Sequence, residues 1–150
     1  MAGAALVALL AAGPFHATHG AAPCPDLGAR VLVVDDYATM RRILENLLKQ
    51  IGYSRIDAAE DGNQALARLR GGGYGLIISD WNMQPVTGLQ LLREVRADPA
   101  LRTIPFIMIT AESKKENVMA AREAGASNYL VKPFNADTLK RKIEETCSPR

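Results

Sequence analysis

From Arg30 onward the chain repeats one alternation: a short apolar run, then a stretch with apolar residues at helical spacing. The runs are Val31-Leu32-Val33-Val34, a shorter one over 55–59, Leu76-Ile77-Ile78, Ile104-Pro105-Phe106-Ile107-Met108-Ile109 and Tyr129-Leu130-Val131. Continuous apolar runs, each followed by an amphipathic segment, read as parallel strands buried between helices. After the first run, Met40, Ile43, Leu44, Leu47, Leu48 and Ile51 fall on one helix face, and Gly52 stops that helix. A second helix carries Ala65, Leu66 and Leu69 and ends at Gly71-Gly72-Gly73; a third starts near Gly88 and closes at Asp98-Pro99. The pattern Ser113 to Glu116 is a capping box opening a fourth helix, which Gly125 ends, and a fifth runs from Asn135 to Thr146. Five βα units in this order predict a doubly wound α/β fold: a five-stranded parallel sheet, right-handed crossovers and helices on both faces.

At 150 residues this is one domain. Its expected limits are a tail over 1–28, the folded domain over 29–147 and a short tail over 148–150. The stretch Ala4 to Ala12 is apolar but far short of the about 20 residues a bilayer span needs. A secretory signal would have a similar apolar core, but no basic residue precedes this one, since the first Lys or Arg is Arg30, so export is the lesser reading. A disordered tail, or sequence upstream of the true start, is the expectation, and the expected location is cytoplasmic. His16 and His19 sit in that tail and make no metal site by themselves. Lys plus Arg is 18 against 16 Asp plus Glu, a balance that supplies no argument for a nucleic-acid partner or an anionic membrane. Cys24 and Cys147 lie near opposite ends and match no metal or redox spacing, which fits a reducing compartment. A monomer is expected.

The residues that close the apolar runs carry the chemistry. Asp35 and Asp36 close the first, Asp80 the third, Thr110 the fourth and Lys132 the fifth. In an open α/β sheet the carboxyl ends of the strands gather at one edge, so three carboxylates, a hydroxyl and an ammonium would converge there. Magnesium takes oxygen ligands and keeps several waters, so one or two carboxylates plus a phosphate oxygen suffice to bind it. Three acids in one place repel each other, and a divalent cation relieves that repulsion. Asp80 is placed to attack phosphorus and form an acyl phosphate. Lys132 would neutralise the phosphoryl oxygens and Thr110 hydrogen-bond one of them. Taken singly, these residues have ordinary readings, such as the turn or N-cap role expected of Asp61. Their joint placement, each at the end of a different strand, is what points to a site.

The stretches LVVDDYATMRRIL, ISDWNM, ITAESKKENV and AGASNYLVKPF resemble the receiver domains of two-component response regulators, most closely those of chemotaxis, over about residues 29 to 147. The resemblance implies a flavodoxin-like fold with Asp80 as phosphoacceptor. Asp35, Asp36 and Asp80, with the backbone carbonyl of Asn82, would hold Mg2+. It further implies that Thr110 moves toward the phosphoryl group, that Tyr129 passes from exposed to buried, and that Lys132 contacts the phosphoryl oxygens. The Lys132–Pro133 bond would be cis, with Pro133 structural. Asn82 and Glu112 would set the lifetime of the phosphorylated state. The implied partners are a chemotaxis-type histidine kinase and a protein output, with the flagellar motor switch protein favoured. Such a domain catalyses only its own phosphorylation and dephosphorylation. A phosphate sink or relay without motor binding is the alternative. A Mg2+-dependent phosphohydrolase of the haloacid dehalogenase type fits less well, because it needs an acid two residues after the nucleophile, where this chain has Asn82. One loop departs from the family, which usually continues Pro-x-Met-Asp-Gly after Met83: here Gln84-Pro85-Val86-Thr87-Gly88 follows.

Overall fold

The structure is a computed structural model and describes residues 25–111 and 115–146. Five strands, β1 (Arg30–Val34), β2 (Arg55–Ala59), β3 (Tyr74–Asp80), β4 (Phe106–Thr110) and β5 (Asn128–Val131), alternate with five helices. These are α1 (Ala38–Ile51), α2 (Gly62–Arg70), α3 (Gly88–Ala97), α4 (Lys115–Ala124) and α5 (Ala136–Glu145). All strand pairs are parallel, in the order β2-β1-β3-β4-β5, so the doubly wound sheet is as expected. Alternate residues of each strand feed two separate cores. Val31, Val33, Leu76, Ile78, Ile107 and Ile109 pack with Leu44 and Leu48 of α1 and Leu139 and Ile143 of α5. Leu32, Val34, Ile77, Phe106 and Met108 face the other way, onto α2, α3 and α4.

The helix boundaries follow local chemistry. Gly52 ends α1 at φ 125°, in the left-handed region open to glycine. Asp61 caps α2 by accepting from the Gln64 N–H at 2.8 Å. Asp98 ends α3, its carboxylate accepting from the Ala100 N–H at 2.9 Å. The capping box at Ser113 lies outside the described residues. No helix among the described residues is long and apolar enough to cross a membrane. Ahead of β1 the chain from Pro25 already lies against the domain: the Tyr53 hydroxyl donates to the Pro25 carbonyl at 3.2 Å.

At the opposite edge from the strand carboxyl ends, Arg96 does what local sequence does not announce. Its Nε donates to the Gly125 carbonyl at 2.8 Å and its Nη1 to the carbonyls of Arg102 at 2.9 Å and Ile104 at 2.7 Å. Nη2 reaches Ser127 Oγ at 3.3 Å, which also accepts from the Phe106 N–H at 3.0 Å. Burial alone pulls the guanidinium down to about 10, which leaves it charged at neutral pH. The fork thus ties the end of α3, the entry to β4 and the α4–β5 turn together. Arg96→Leu should cost about 2–4 kcal/mol, because carbonyls around a part-buried site lose their donor. Urea unfolding measures it, and a midpoint within error of the parent would show that water replaces the guanidinium.

Candidate functional site

The parallel register carries the five chemical residues to one edge of the sheet. Val34 pairs with Ser79, so Asp35 and Asp80 are the next residues on adjacent strands. The ladder continues past the strand ends: Asp35 N–H donates to Ala59 O at 3.2 Å, Trp81 N–H to Ile109 O at 2.8 Å and Lys132 N–H to Thr110 O at 2.9 Å. These bonds fix the backbone on which the side chains converge.

One carboxylate oxygen from each of Asp35, Asp36 and Asp80 can lie within 4.8 Å of the other two. Asp35 is 1 % exposed and Asp80 5 %, whereas Asp36, one residue along, is exposed. Asp35 Oδ1 accepts from the Tyr37 N–H at 2.9 Å. Asp35 Oδ2 is buried and has no hydrogen-bond partner, the single such side-chain atom among the described residues. Burial is the main reason the Asp35 carboxyl rises to about 6, with repulsion from Asp80 and Asp36 adding and the Tyr37 N–H and Lys132 opposing. Burial also raises Asp80, against the pull of Lys132. The Lys132 ammonium lies 3.0 Å from Asp80 Oδ1, inside the acidic group. Thr110 is buried at the end of β4. An oxygen-only donor set, one member of it orphaned and all of it mutually repulsive, fits a hard divalent cation.

Around this centre stand residues that sequence reading did not single out. Arg41 donates to the Asp35 carbonyl at 2.6 Å and approaches Glu60 at 3.7 Å, holding the turn that carries the acidic pair. Gly88 is pressed against β3: a Cβ there would overlap the Asp80 carbonyl oxygen and meet Met108 Sδ at 2.9 Å. Gly88→Ala should therefore cost about 1–3 kcal/mol by overpacking and shift the Asp80 backbone. A thermal melt with a phosphoryl-acceptance assay checks this, and an unchanged result in both would show that Met108 and the loop give way freely.

The divergent loop has its own logic. Thr87, where the family has an acid, caps α3: its hydroxyl accepts from the Gln90 N–H at 3.1 Å while Gln90 Oε1 accepts from the Thr87 N–H at 2.8 Å. The Gln84–Pro85 bond is cis, as is Lys132–Pro133. Asn82, Gln84 and Pro85 are exposed, and with Asp36, Met83 and Thr87 they line an open cleft of ≈ 570 Å³ beside the acidic group. Glu112 lies outside the described residues. Tyr129 is half-buried on β5, with the Lys142 ammonium 4.8 Å from its ring centre. Lys142 approaches Glu145 at 3.9 Å; Glu145 accepts from Asn128 Nδ2 at 2.9 Å, and Asn128 Oδ1 accepts from the Tyr129 N–H at 2.9 Å. Tyr129 thus stands in a closed circuit joining β5 to α5.

Residues 31–144 match the family described as response regulator receiver domain. The chain is a receiver domain of that family. The receiver is 47 % identical to the chemotaxis protein CheY of Pseudomonas aeruginosa over 116 residues, covering 77 % of this chain and 94 % of that protein. It is 45 % identical to CheY-3 of Vibrio cholerae, over 77 % of this chain and 89 % of the other. The structure of the chemotaxis response regulator CheY4 of Vibrio cholerae aligns with a TM-score of 0.71 at 36 % identity, covering 76 % of the receiver and 94 % of that chain. The receiver domain of a sensor histidine kinase from Pseudomonas aeruginosa, solved with a magnesium ion coordinated in its active-site cleft, aligns at 0.73 with 29 % identity, covering 80 % and 98 %. The receiver is thus a response regulator with chemotaxis homologues.

Proposed function

We propose that this receiver is a switch that accepts a phosphoryl group on Asp80 from a chemotaxis-type histidine kinase and signals through protein binding. The observation that carries this reading is the buried, orphaned Asp35 oxygen beside Asp36 and Asp80, with Lys132 bonded to Asp80. Asp35, Asp36 and Asp80, with the Asn82 carbonyl, would hold Mg2+. When bound, the ion supplies positive charge that offsets the repulsion among three carboxylates and an incoming phosphoryl group.

The chain's own residues do the rest. The Asp80 carboxylate attacks phosphorus, the phosphorus–nitrogen bond to the donor imidazole breaks, and an acyl phosphate is left on Asp80. Lys132 turns from the carboxylate toward the phosphoryl oxygens as their charge appears at Asp80. Thr110, at the end of the neighbouring strand, donates its hydroxyl to the same oxygens and so draws on the β4–α4 connection. Tyr129 reports that movement at the face of α4, β5 and α5, where the output partner binds. The flagellar motor switch protein is the partner we favour, on the likeness to chemotaxis relatives. On the likeness to the family, Asn82 and Glu112 set how fast water reaches the acyl phosphate. The domain turns over no external substrate beyond its own phosphorylation and dephosphorylation.

The reading is tested by exposing the full chain to a labelled small acyl phosphate with and without Mg2+. One phosphoryl group per chain, requiring Mg2+ and labile as an acyl phosphate, is the expected result. Sustained hydrolysis of added phosphomonoesters would replace the switch with a phosphohydrolase. Enrichment of motor switch protein by the phosphorylated form, and not the unphosphorylated one, is the outcome that separates motor output from a phosphate sink.

A further inference from the structure

We propose that Lys142 is a positioning residue for the switch: reaching round the outer edge of the sheet, it holds the Tyr129 ring outward until Asp80 is phosphorylated. The proposal rests on the phosphoacceptor reading of Asp80 and adds a counterweight on the side of the ring away from Thr110. β5 is an edge strand, with β4 on one side and no described strand on the other. Leu130 belongs to the face that packs on Leu139 and Ile143 of α5, while Tyr129 packs on the other face, against the core that includes Ala121 of α4. Lys142 is on α5, so its side chain must pass the free edge of β5 to bring its ammonium 4.8 Å from the centre of that ring.

Three observations make this more than a chance surface contact. First, both ends of the lysine are held. Its backbone carbonyl accepts from Asn128 Nδ2 at 3.1 Å, and its ammonium lies 3.9 Å from Glu145 Oε1, the atom to which the same amide donates at 2.9 Å. Second, Asn128 is 3 % exposed, and its Oδ1 accepts from the Tyr129 N–H at 2.9 Å. This buried amide fixes the backbone under the ring against the last turn of α5. Third, Thr110 stands on the inner side of the ring. Tyr129 pairs with Met108 and Val131 with Thr110, and residues two apart share a sheet face, so ring and hydroxyl lie on one face of adjacent strands.

The ring is thus set between a hydroxyl on the inner strand and an ammonium brought in from beyond the sheet. An aromatic face attracts a cation, at a part-exposed site by enough to bias a two-state side chain about 2- to 5-fold. When Thr110 is drawn to the phosphoryl oxygens, space opens on the inner side, and a ring that enters it leaves the ammonium behind. Glu145, already beside Lys142, then keeps that charge paired. Lys142 touches none of the reacting atoms; it acts through Tyr129, by keeping the inward ring scarce in the unphosphorylated chain.

The test compares NMR spectra of the full chain, its tyrosine rings isotope-labelled, with those of Lys142→Met, which keeps the stem and removes the charge, and Lys142→Arg, which keeps the charge. Tyr129→Leu assigns the Tyr129 signal. Without phosphodonor, the ratio of inward to outward ring should rise about 2- to 5-fold in Lys142→Met and return toward the parent value in Lys142→Arg. In the parent, the ring should displace the signals of the Lys142 ε-methylene protons, and that displacement should fade once a small acyl phosphate and Mg2+ have labelled Asp80. Label is counted in the same samples and should reach one phosphoryl group per chain in the parent and in Lys142→Met. A Tyr129 signal identical in the parent and Lys142→Met, no recovery in Lys142→Arg, or a Lys142 displacement that survives labelling would each overturn the proposal. Label missing from the parent would overturn the phosphoacceptor reading itself, a result distinct from label present with Tyr129 unmoved by the substitution.

Discussion

Asp80→Asn should accept no measurable phosphoryl label while remaining folded. The amide keeps the shape of the carboxylate but has no anionic oxygen to attack phosphorus, so labelling should fall by at least about 10³-fold, as when a nucleophile is removed. The structure supplies a control against mere unfolding. Burial raises Asp80 in the folded chain, so its ionised form is held at a cost in the absence of metal, and a neutral isostere removes that cost. The variant should therefore be at least as stable as the parent in metal-free buffer at neutral pH, even though Lys132 loses the oxygen it holds at 3.0 Å. Labelling by an acyl phosphate and urea unfolding are measured together. Equal labelling of parent and variant would place the phosphoryl group elsewhere.

The second large effect is on stability and its dependence on pH and Mg2+. In the folded chain Asp35 keeps its proton up to about 6, against 3.8 for the ordinary carboxyl. Between those values the folded chain binds more protons than the unfolded one, so stability is fullest below 3.8 and declines as pH rises through about 6. The shift corresponds to a loss of roughly 2–3 kcal/mol across that window in metal-free buffer. Asp80 moves in the same direction and adds to it. Asp57 is lowered instead, chiefly by the Tyr74 hydroxyl and the Arg30 guanidinium, so its contribution is lost only as pH falls below the ordinary carboxyl range. The two trends are separable by pH. Asp35→Asn should flatten the decline above pH 4 and leave the acid limb intact. Mg2+ at about 100 times its dissociation constant should restore about 2.7 kcal/mol to the parent at neutral pH and markedly less to Asp35→Asn. Urea titrations from pH 4 to 8, with and without Mg2+, decide it. A parent whose metal-free stability rises across that range would refute the assignment of Asp35 as a buried, repelled carboxylate.

Much of the scaffold was legible because its signals are contiguous. A run such as Val31–Val34 is buried on both faces and says so in four adjacent residues, and glycines at 52 and 125 mark helix ends by a backbone conformation few other residues share. Asp35, Asp36, Asp80, Thr110 and Lys132 could be picked out because each terminates such a run. Arg41, Gly88, Arg96 and Lys142 could not, since their partners lie on other elements. Nothing adjacent to Arg96 marks the carbonyls of Gly125 and Ile104 as its acceptors, and nothing beside Gly88 marks it as flush with Asp80. Thr87 was visible only as a departure from the family; the folded loop reveals the helix cap it forms with Gln90.

The sequence by itself determined the order of strands and helices and the set of residues that must meet where the strands end. Apolar periodicity and turn chemistry are local properties, and a parallel sheet has only one carboxyl edge. Only the tertiary structure decided how those residues differ. Asp35 and Asp36 are chemically identical neighbours, yet one is sealed in with an orphaned oxygen and the other faces solvent, because Asp35 still bonds to Ala59 at the sheet edge while Asp36 stands in the turn beyond it. It was likewise the winding of α5 back to the start of β1 that set Pro25 and Ile143 around one groove, a proximity with no counterpart along the chain.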